Sequence, residues 1–372
     1  MKHGGDVYSD GLLKGTKLLD YSSNINPLPI SKEFSSHIDE ALNNVMLYPD
    51  VKYRTLKDNI ITYLQASEEY FSKENKGNHE KNYLASISRS NILVGNGASE
   101  VLDLIISSLK SITIVVPSFV EYEDFSKKHG VKINYAYVNE NMEYNYKEIL
   151  LAVENTEALI IGNPNNPNGC VINFENFEAI LKKCEEQHKL VIIDEAFIEF
   201  VLDYDKSLIK YIDKYSSLVI IRAITKFYGM PGIRFGYGIT RNKNILEYFE
   251  NNQNPWSVNC FAELAVKYAL KDKGFIEESK LWIEDERNFM HNALSTIEFI
   301  EKVYISYGNY FLCKLKYISS SEFYENMLRR GILIRNCNNY VGLDNSYVRL
   351  AIKDRKANEI LIEELKDIER SL

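Results

Sequence analysis

The chain has 372 residues, 45% of them hydrophobic and 26% charged, with a net charge of −8; it is longer than one small domain needs and long enough for a sizeable core. Its basic residues are scattered rather than gathered into a stripe, which excludes nucleic acid or an anionic membrane as the main partner and leaves a small molecule. Five cysteines without a close pair build neither a disulfide framework nor a zinc site, and MKHGGDVYSD has no apolar signal core, so a cytoplasmic protein in a reducing compartment, without a metal, is expected.

The first 30 residues read as an arm. It carries His3-Gly4-Gly5 and then Leu19-Asp20-Tyr21-Ser22-Ser23-Asn24-Ile25-Asn26-Pro27, by themselves a polar tail and a polar turn. The polar stretch SKENKGNHEKN at 72–82 reads as a surface loop. From about 91 to 240, short apolar runs alternate with amphipathic segments: NILVGNG, ITIVVPS, KINYAYV, EALIIGNPN, LVIIDEAF, SLVIIRAIT and RFGYGIT. Unbroken Ile/Val/Leu runs that stop at Gly, Pro, Asn or Asp are strands buried on both faces, which predicts an α/β fold with a mostly parallel sheet. The remainder, with strands near FLCKLKY, ILIRNC and YVRLAI and a closing helix at NEILIEELKDIER, reads as a smaller α+β unit. The expected organisation is an arm at 1–30, a large domain at 31–275 and a small C-terminal domain at 276–372.

The polar residues of interest sit where strands end, and in open α/β sheets the crevice outside the carboxyl ends of strands is where ligands bind. Each motif has two readings. GNGASE at 95–100 opens a helix, either as an ordinary Ser/Glu-capped start or as a phosphate site made by exposed backbone N–H groups. Asp194 is either a cap or ion-pair partner, or a carboxylate that holds a pyridinium N–H. Asn166, in NPNNPNG, is a turn residue or an amide donor to a ring phenolate. Phe119 is core or lies flat on an aromatic ring. Lys226, directly after SLVIIRAIT, either snorkels to solvent or is held in an apolar crevice where a lowered pKa makes it a nucleophile. Arg234, eight residues on, suits bidentate contact with the same phosphate.

In their order along the chain, GNGASE, PSF, NPNNPNG, DEAF, the TK pair and the arginine eight residues after the lysine resemble the fold-type-I pyridoxal-phosphate enzymes, the aspartate-aminotransferase-like family, over nearly the whole chain. The resemblance implies pyridoxal 5'-phosphate as cofactor. It also implies Lys226 as covalent anchor and proton carrier, Asp194 at the ring nitrogen, Asn166 at the phenolate and Phe119 stacked on the ring. Gly97, Ala98, Ser99 and Arg234 are implied at the phosphate. Tyr53, in YPDVKYRTL, resembles the tyrosine that members of the family lend to the neighbouring subunit, which implies a homodimer with shared sites. Two positions depart from the family pattern. Phe197 stands where a tyrosine usually donates to the phenolate, and Ala223 where a serine or threonine usually meets the phosphate; Thr225 or Ser99 would compensate for the latter.

The cofactor motifs leave the reaction open, because the bond that breaks depends on how the substrate is turned relative to the ring. Arg335 and Arg349 are surface ion-pair residues or, if both enter the cleft, a clamp for a dianion. The HGG start, the D-Y-S-S-N-I-N-P-L segment, Phe197 in DEAF and GILIRNCNNYVGL together resemble the threonine-phosphate decarboxylase branch of the family, active in cobalamin biosynthesis. This resemblance implies decarboxylation of O-phospho-L-threonine to (R)-1-aminopropan-2-yl phosphate. The substrate would be held by Arg335 and Arg349 with His3, Gly4, Asn24 and Asn166. The alternative is an aminotransferase acting on histidinol phosphate or a related amino acid. A cofactor-binding regulatory module without turnover is disfavoured by the intact Lys226, Asp194, Asn166 and Arg234.

Overall fold

A computed structural model describes residues 4–71, 84, 86–203 and 206–371. The surface loop expected at 72–82 lies outside them. Each of the seven apolar runs between 91 and 240 is a strand: β2 (Ile92–Gly95), β3 (Ser111–Val116), β4 (Lys132–Tyr137), β5 (Ala158–Gly162), β6 (Leu190–Asp194), β7 (Leu218–Ala223) and β8 (Gly236–Thr240). They form one sheet in the order β2-β8-β7-β6-β5-β3-β4. Only β8 runs against its neighbours; β3, β4, β5, β6 and β7 are parallel along their shared ladders.

The unbroken apolar sequences follow from two-sided burial. Along β6, Leu190 and Ile192 join one hydrophobic cluster, while Val191 and Ile193 join the other. Successive side chains of a strand point to opposite faces, so a sheet covered by helices on both faces needs an apolar residue at every position. The helix Ala98–Ser107 buries Val101, Leu102, Ile105 and Ile106 on one face, and Phe174–Glu186 buries Phe177, Ile180, Leu181 and Cys184 on the other.

Beyond the long helix Lys273–Leu294, β9 (Ile300–Val303), β10 (Tyr310–Leu315), β12 (Arg335–Asn336) and β13 (Tyr347–Ala351) form an antiparallel sheet in the order β12-β13-β10-β9. The helix Arg355–Ser371 closes this part of the chain. The N-terminal segment is stitched to it: β1 (Leu19–Asp20) pairs in parallel with β11 (Ile332–Leu333), and the Ala351 N–H donates to the Tyr21 carbonyl at 3.0 Å. The same segment then reaches the large sheet. Asn26 donates through Nδ2 to the Phe227 carbonyl at 2.8 Å, and its backbone N–H donates to the Lys226 carbonyl at 3.1 Å. Residues 19–26 therefore bridge both sheets at the edge where the strand-end motifs gather.

Candidate active site

The parallel strands deliver their carboxyl ends to one edge of the sheet. The reversed strand β8 delivers its beginning to that edge instead, because Gly236 pairs with both Gly95 and Ala223. Arg234, just before β8, thus arrives beside the helix that follows β2. A side-chain carbon on Gly97 would lie 2.8 Å from Arg234 Nη2, so only glycine admits the guanidinium there, and Gly97 itself has φ +86°. Gly97 is also the N-cap of helix Ala98–Ser107, without a side-chain cap. Of the two readings of GNGASE, the Ser/Glu-capped start is not what forms. The Ser99 hydroxyl donates to Glu121 Oε2 at 2.9 Å, and Glu100 Oε2 accepts from the Asn96 N–H at 2.5 Å. Uncapped N–H groups at the positive end of the helix dipole, with a guanidinium above them, make an anion cradle.

Asp194 ends β6 and is 9% exposed. Burial raises its pKa, while hydrogen bonds from the Tyr122 hydroxyl (2.6 Å) and the Ala196 N–H (3.0 Å) act the other way. A buried carboxylate in this state fits a cationic N–H partner, which supplies the missing countercharge. Lys226 is half-buried across the cleft. Burial first, and then the charges of Arg349 and Arg234, lower its pKa to about 8. Its Nζ lies 5.8 Å from the centre of the Phe197 ring, which occupies the position of the missing phenol. Phe119 also lines the cleft, edge-on to Tyr122 at 5.7 Å. Ala223 is buried at the end of β7 and offers no hydroxyl, whereas Thr225 and Ser99 both line the cleft.

At the opposite end, β12 and β13 set Arg335 directly against Arg349. Like charges facing each other across two strands are destabilising, and both are buried, at 4% and 5% exposure. This is not the arrangement of surface ion-pair residues. Arg349 is braced through Nη1 on Asn166 Oδ1 and through Nη2 on the Ser22 carbonyl at 2.6 Å, while its buried Nε has no partner. Because Arg349 engages the Asn166 oxygen, the Asn166 amino group is left as the free end of that amide. Arg335 donates to Asn339 Oδ1 at 2.7 Å and lies 4.8 Å from the Tyr340 ring centre. Asn24 is 2% exposed with Oδ1 unpartnered, and the Gly5 N–H donates to the Ser22 hydroxyl at 2.6 Å. A side chain on Gly4 would meet the Ser22 carbonyl at 2.2 Å, so the arm's glycines allow it to lie flat on this end of the cleft.

The cleft has a volume of about 510 Å³, and twelve of the fifteen expected site residues line it. Of the others, Gly97 lies under Arg234. Tyr53 is buried outside the cleft, with its hydroxyl 3.4 Å from the Val258 N–H. His3 lies outside the described residues. Sequence reasoning missed Glu121 and Tyr122, although PSFVEYEDF places both just after Phe119, and it missed Ser22 as the brace for Arg349. No group of three or more metal-ligating side chains occurs among the described residues. A low-pKa amine, a buried carboxylate, an aromatic wall and an anion cradle together fit an aromatic aldehyde carrying a phosphate.

The family model for aminotransferase class I and II matches residues 16–365, and the chain belongs to this family. Its architecture is the aspartate-aminotransferase-like, fold-type-I one. A Caldanaerobacter subterraneus subsp. tengcongensis protein provisionally named threonine-phosphate decarboxylase is 37% identical over 374 residues, covering 99% of this chain and 94% of the relative. The Salmonella typhimurium threonine-phosphate decarboxylase is 29% identical over 98% of this chain and 96% of its own. The crystal structure of the histidinol-phosphate aminotransferase from Clostridium acetobutylicum is 48% identical, covers 95% of this chain and 100% of that one, and superposes with a TM-score of 0.88.

Proposed function

We propose that the protein is a pyridoxal-phosphate-dependent enzyme that decarboxylates O-phospho-L-threonine to (R)-1-aminopropan-2-yl phosphate, the reaction its sequence resemblance assigns to cobalamin biosynthesis. The observation that carries this reading is the pair Arg335 and Arg349, set opposite each other on β12 and β13 and facing the Lys226 cleft. Two guanidinium groups this close suit a compact dianion. Beside Tyr340, the arm lines that end with the small or polar residues Gly4, Gly5, Ser22, Ser23 and Asn24, which favours a short phosphorylated side chain over an imidazole. The 37% identical full-length relative supports the same choice.

Pyridoxal phosphate, when bound, supplies an electron sink for the carbanion left by loss of CO2. Lys226, reactive as a neutral amine, would be the covalent anchor of the cofactor, and once released and protonated it would donate the proton that takes the place of CO2 on the substrate carbon. Asp194 would accept the ring N–H, Asn166 would donate its amino group to the phenolate, and Phe119 would back the ring. Ala98, Ser99, Thr225 and Arg234, with Gly97 beneath, would hold the cofactor phosphate. Arg335 and Arg349, closed over by His3, Gly4 and Asn24, would grip the substrate phosphate and so turn its carboxylate out of the ring plane.

A homodimer belongs to this reading. Leu42, Val45, Met46, Leu47 and Tyr48 are 54%, 57%, 91%, 66% and 83% exposed in consecutive turns just before Tyr53. Apolar side chains this exposed suit a contact surface that a second copy would cover, and the sequence resemblance implies that Tyr53 is then lent to the partner's site.

Aminotransferase activity toward histidinol phosphate is the second reading, favoured by the 48% identical structure. One experiment separates the two. The purified protein is offered O-phospho-L-threonine without an oxo acid and, separately, histidinol phosphate with 2-oxoglutarate. CO2 release in the first alone is expected, and turnover in the second alone overturns the choice of reaction. Arg335→Ala and Arg349→Ala should each lower kcat/KM for the phosphorylated substrate on the order of 100-fold, the scale of removing one member of a buried charged contact.

A further inference from the structure

The cradle of the proposed cofactor phosphate contains a negative charge. Glu121 lines the same cleft as Ser99, Phe119 and Arg234, and its Oε2 accepts a hydrogen bond from the Ser99 hydroxyl at 2.9 Å. Its field also reaches Lys226 and Asp194, acting on both in the sense of a nearby anion. The first turn of its helix already holds two other acids, Glu123 and Asp124. A third would suit the helix dipole, but the dipole does not require this side chain to turn into the cleft and hold Ser99.

We propose that Glu121 is a selectivity residue of the anion cradle: its carboxylate holds the Ser99 hydroxyl and disfavours untethered phosphate, so that the cradle fills only with a phosphate whose ligand is also anchored at Lys226. The inference rests on the cofactor reading above. A hydroxyl has one proton to give, so a phosphate that uses Ser99 must displace Glu121. The incoming oxygens also face a like charge in a half-dry cleft, where repulsion is stronger than in water. Arg234 and the uncapped helix start attract any phosphate, and Glu121 opposes that attraction. A ligand held at the same time by Lys226 and Asp194 meets the cradle at high effective concentration and tolerates the opposition, whereas free phosphate has no second attachment. The device matters in a protein whose substrate is itself a phosphate ester, because the same repulsion sends that group to Arg335 and Arg349 at the other end.

The test compares full-length wild type with Glu121→Gln, which keeps an oxygen acceptor for Ser99 and removes the charge. After cofactor removal, inorganic phosphate is titrated calorimetrically. Glu121→Gln should bind it about tenfold more tightly, the order expected when a facing charge is removed from a charged hydrogen-bond site. Uptake of pyridoxal 5'-phosphate, read by its visible absorbance, should gain less than free phosphate does, and uptake of unphosphorylated pyridoxal, which the charge reaches only through Lys226 and Asp194, should change less than tenfold. Unchanged or weaker phosphate binding in Glu121→Gln, with an unchanged melting temperature, overturns the proposal. A purely structural acid would show the opposite pattern, a lower melting temperature and unchanged phosphate affinity. Glu121→Ala gives the same comparison should the glutamine variant fold poorly. Failure of the wild type to take up pyridoxal 5'-phosphate sinks the cofactor reading, and the calorimetric comparison still decides the role of Glu121.

Discussion

The chemistry of Lys226 comes from two properties of its position. It follows a strand buried at every residue, so water is scarce, and it faces Arg349 and Arg234, which resist a third cation. Both favour the neutral amine, and the pKa falls from the ordinary 10.5 to about 8. An amine-acylating reagent applied to the cofactor-free protein should therefore modify Lys226 at a rate that rises tenfold per pH unit up to about 8 and then levels off. Peptide mapping across pH 6 to 10 checks this, and a rate still climbing toward pH 10 would mark an ordinary lysine. The sign for stability follows: the folded protein resists protonating this amine, so its contribution improves as pH rises from about 8 through the unfolded value and is least favourable below both. Lys226 and Arg234 were legible because a cation at the end of an apolar run is locally anomalous. Glu121 and Tyr122 were not, since an acid and an aromatic at a helix start are locally ordinary and acquire meaning only from Ser99 and Asp194, which another helix and another strand supply.

Among the elements, β8 does the most to form the cradle. Its reversal brings Arg234 to the edge where the parallel strands end, and its glycines let the helix Ala98–Ser107 approach it. A methyl group on Gly236 would lie 2.2 Å from the Ala98 backbone nitrogen and 2.6 Å from its Cα, with no flexible side chain to give way. Gly236→Ala should therefore push the helix start away from Arg234. The expected result is a stability loss of about 1–3 kcal/mol by denaturant unfolding, the usual range for overpacking, together with weaker binding of pyridoxal 5'-phosphate. Loss of stability with unchanged cofactor affinity would show that the cradle does not depend on this contact. RFGYGIT was readable as a strand, but its direction was not, because alternation and propensity carry no sign along the chain. The pairing of Arg335 with Arg349 was hidden for a related reason. Fourteen residues apart, they become neighbours only through the register of β12 against β13.

For the molecule as a whole, the proposed homodimer rests on the exposed apolar side chains of Leu42, Val45, Met46, Leu47 and Tyr48. On that proposal, Met46→Glu combined with Tyr48→Asp should convert the dimer to a monomer in light scattering and weaken cofactor retention, the shared role proposed for Tyr53 being lost. A wild type that is already monomeric at micromolar concentration would remove the shared-site reading while leaving the cleft of each chain as described. The long-range order of the fold was well marked in the sequence. All seven strands of the large sheet fell on the apolar runs, because two-sided burial writes itself into composition one residue at a time; in the smaller sheet β10, β12 and β13 fell on the segments read as strands, while β9, IEKV with two exposed residues, did not. The bridge made by residues 19–26 was less visible, since β1 has two residues and its pairing partner lies more than 300 positions away.

The sequence by itself determined which segments would be the strands of the large sheet and which end of each would carry polar chemistry; the resemblance of its ordered motifs to a family implied that a lysine, an aspartate and an arginine serve one ligand. The strands and their polar ends are consequences of local composition, read residue by residue. Tertiary structure alone decided the reversal of β8, the facing arginines, the flat seat of Gly4 and Gly5 on Ser22 and the turn of Glu121 onto Ser99. Each of these depends on distances between segments far apart in the chain, and such distances are fixed only when the sheets and helices pack.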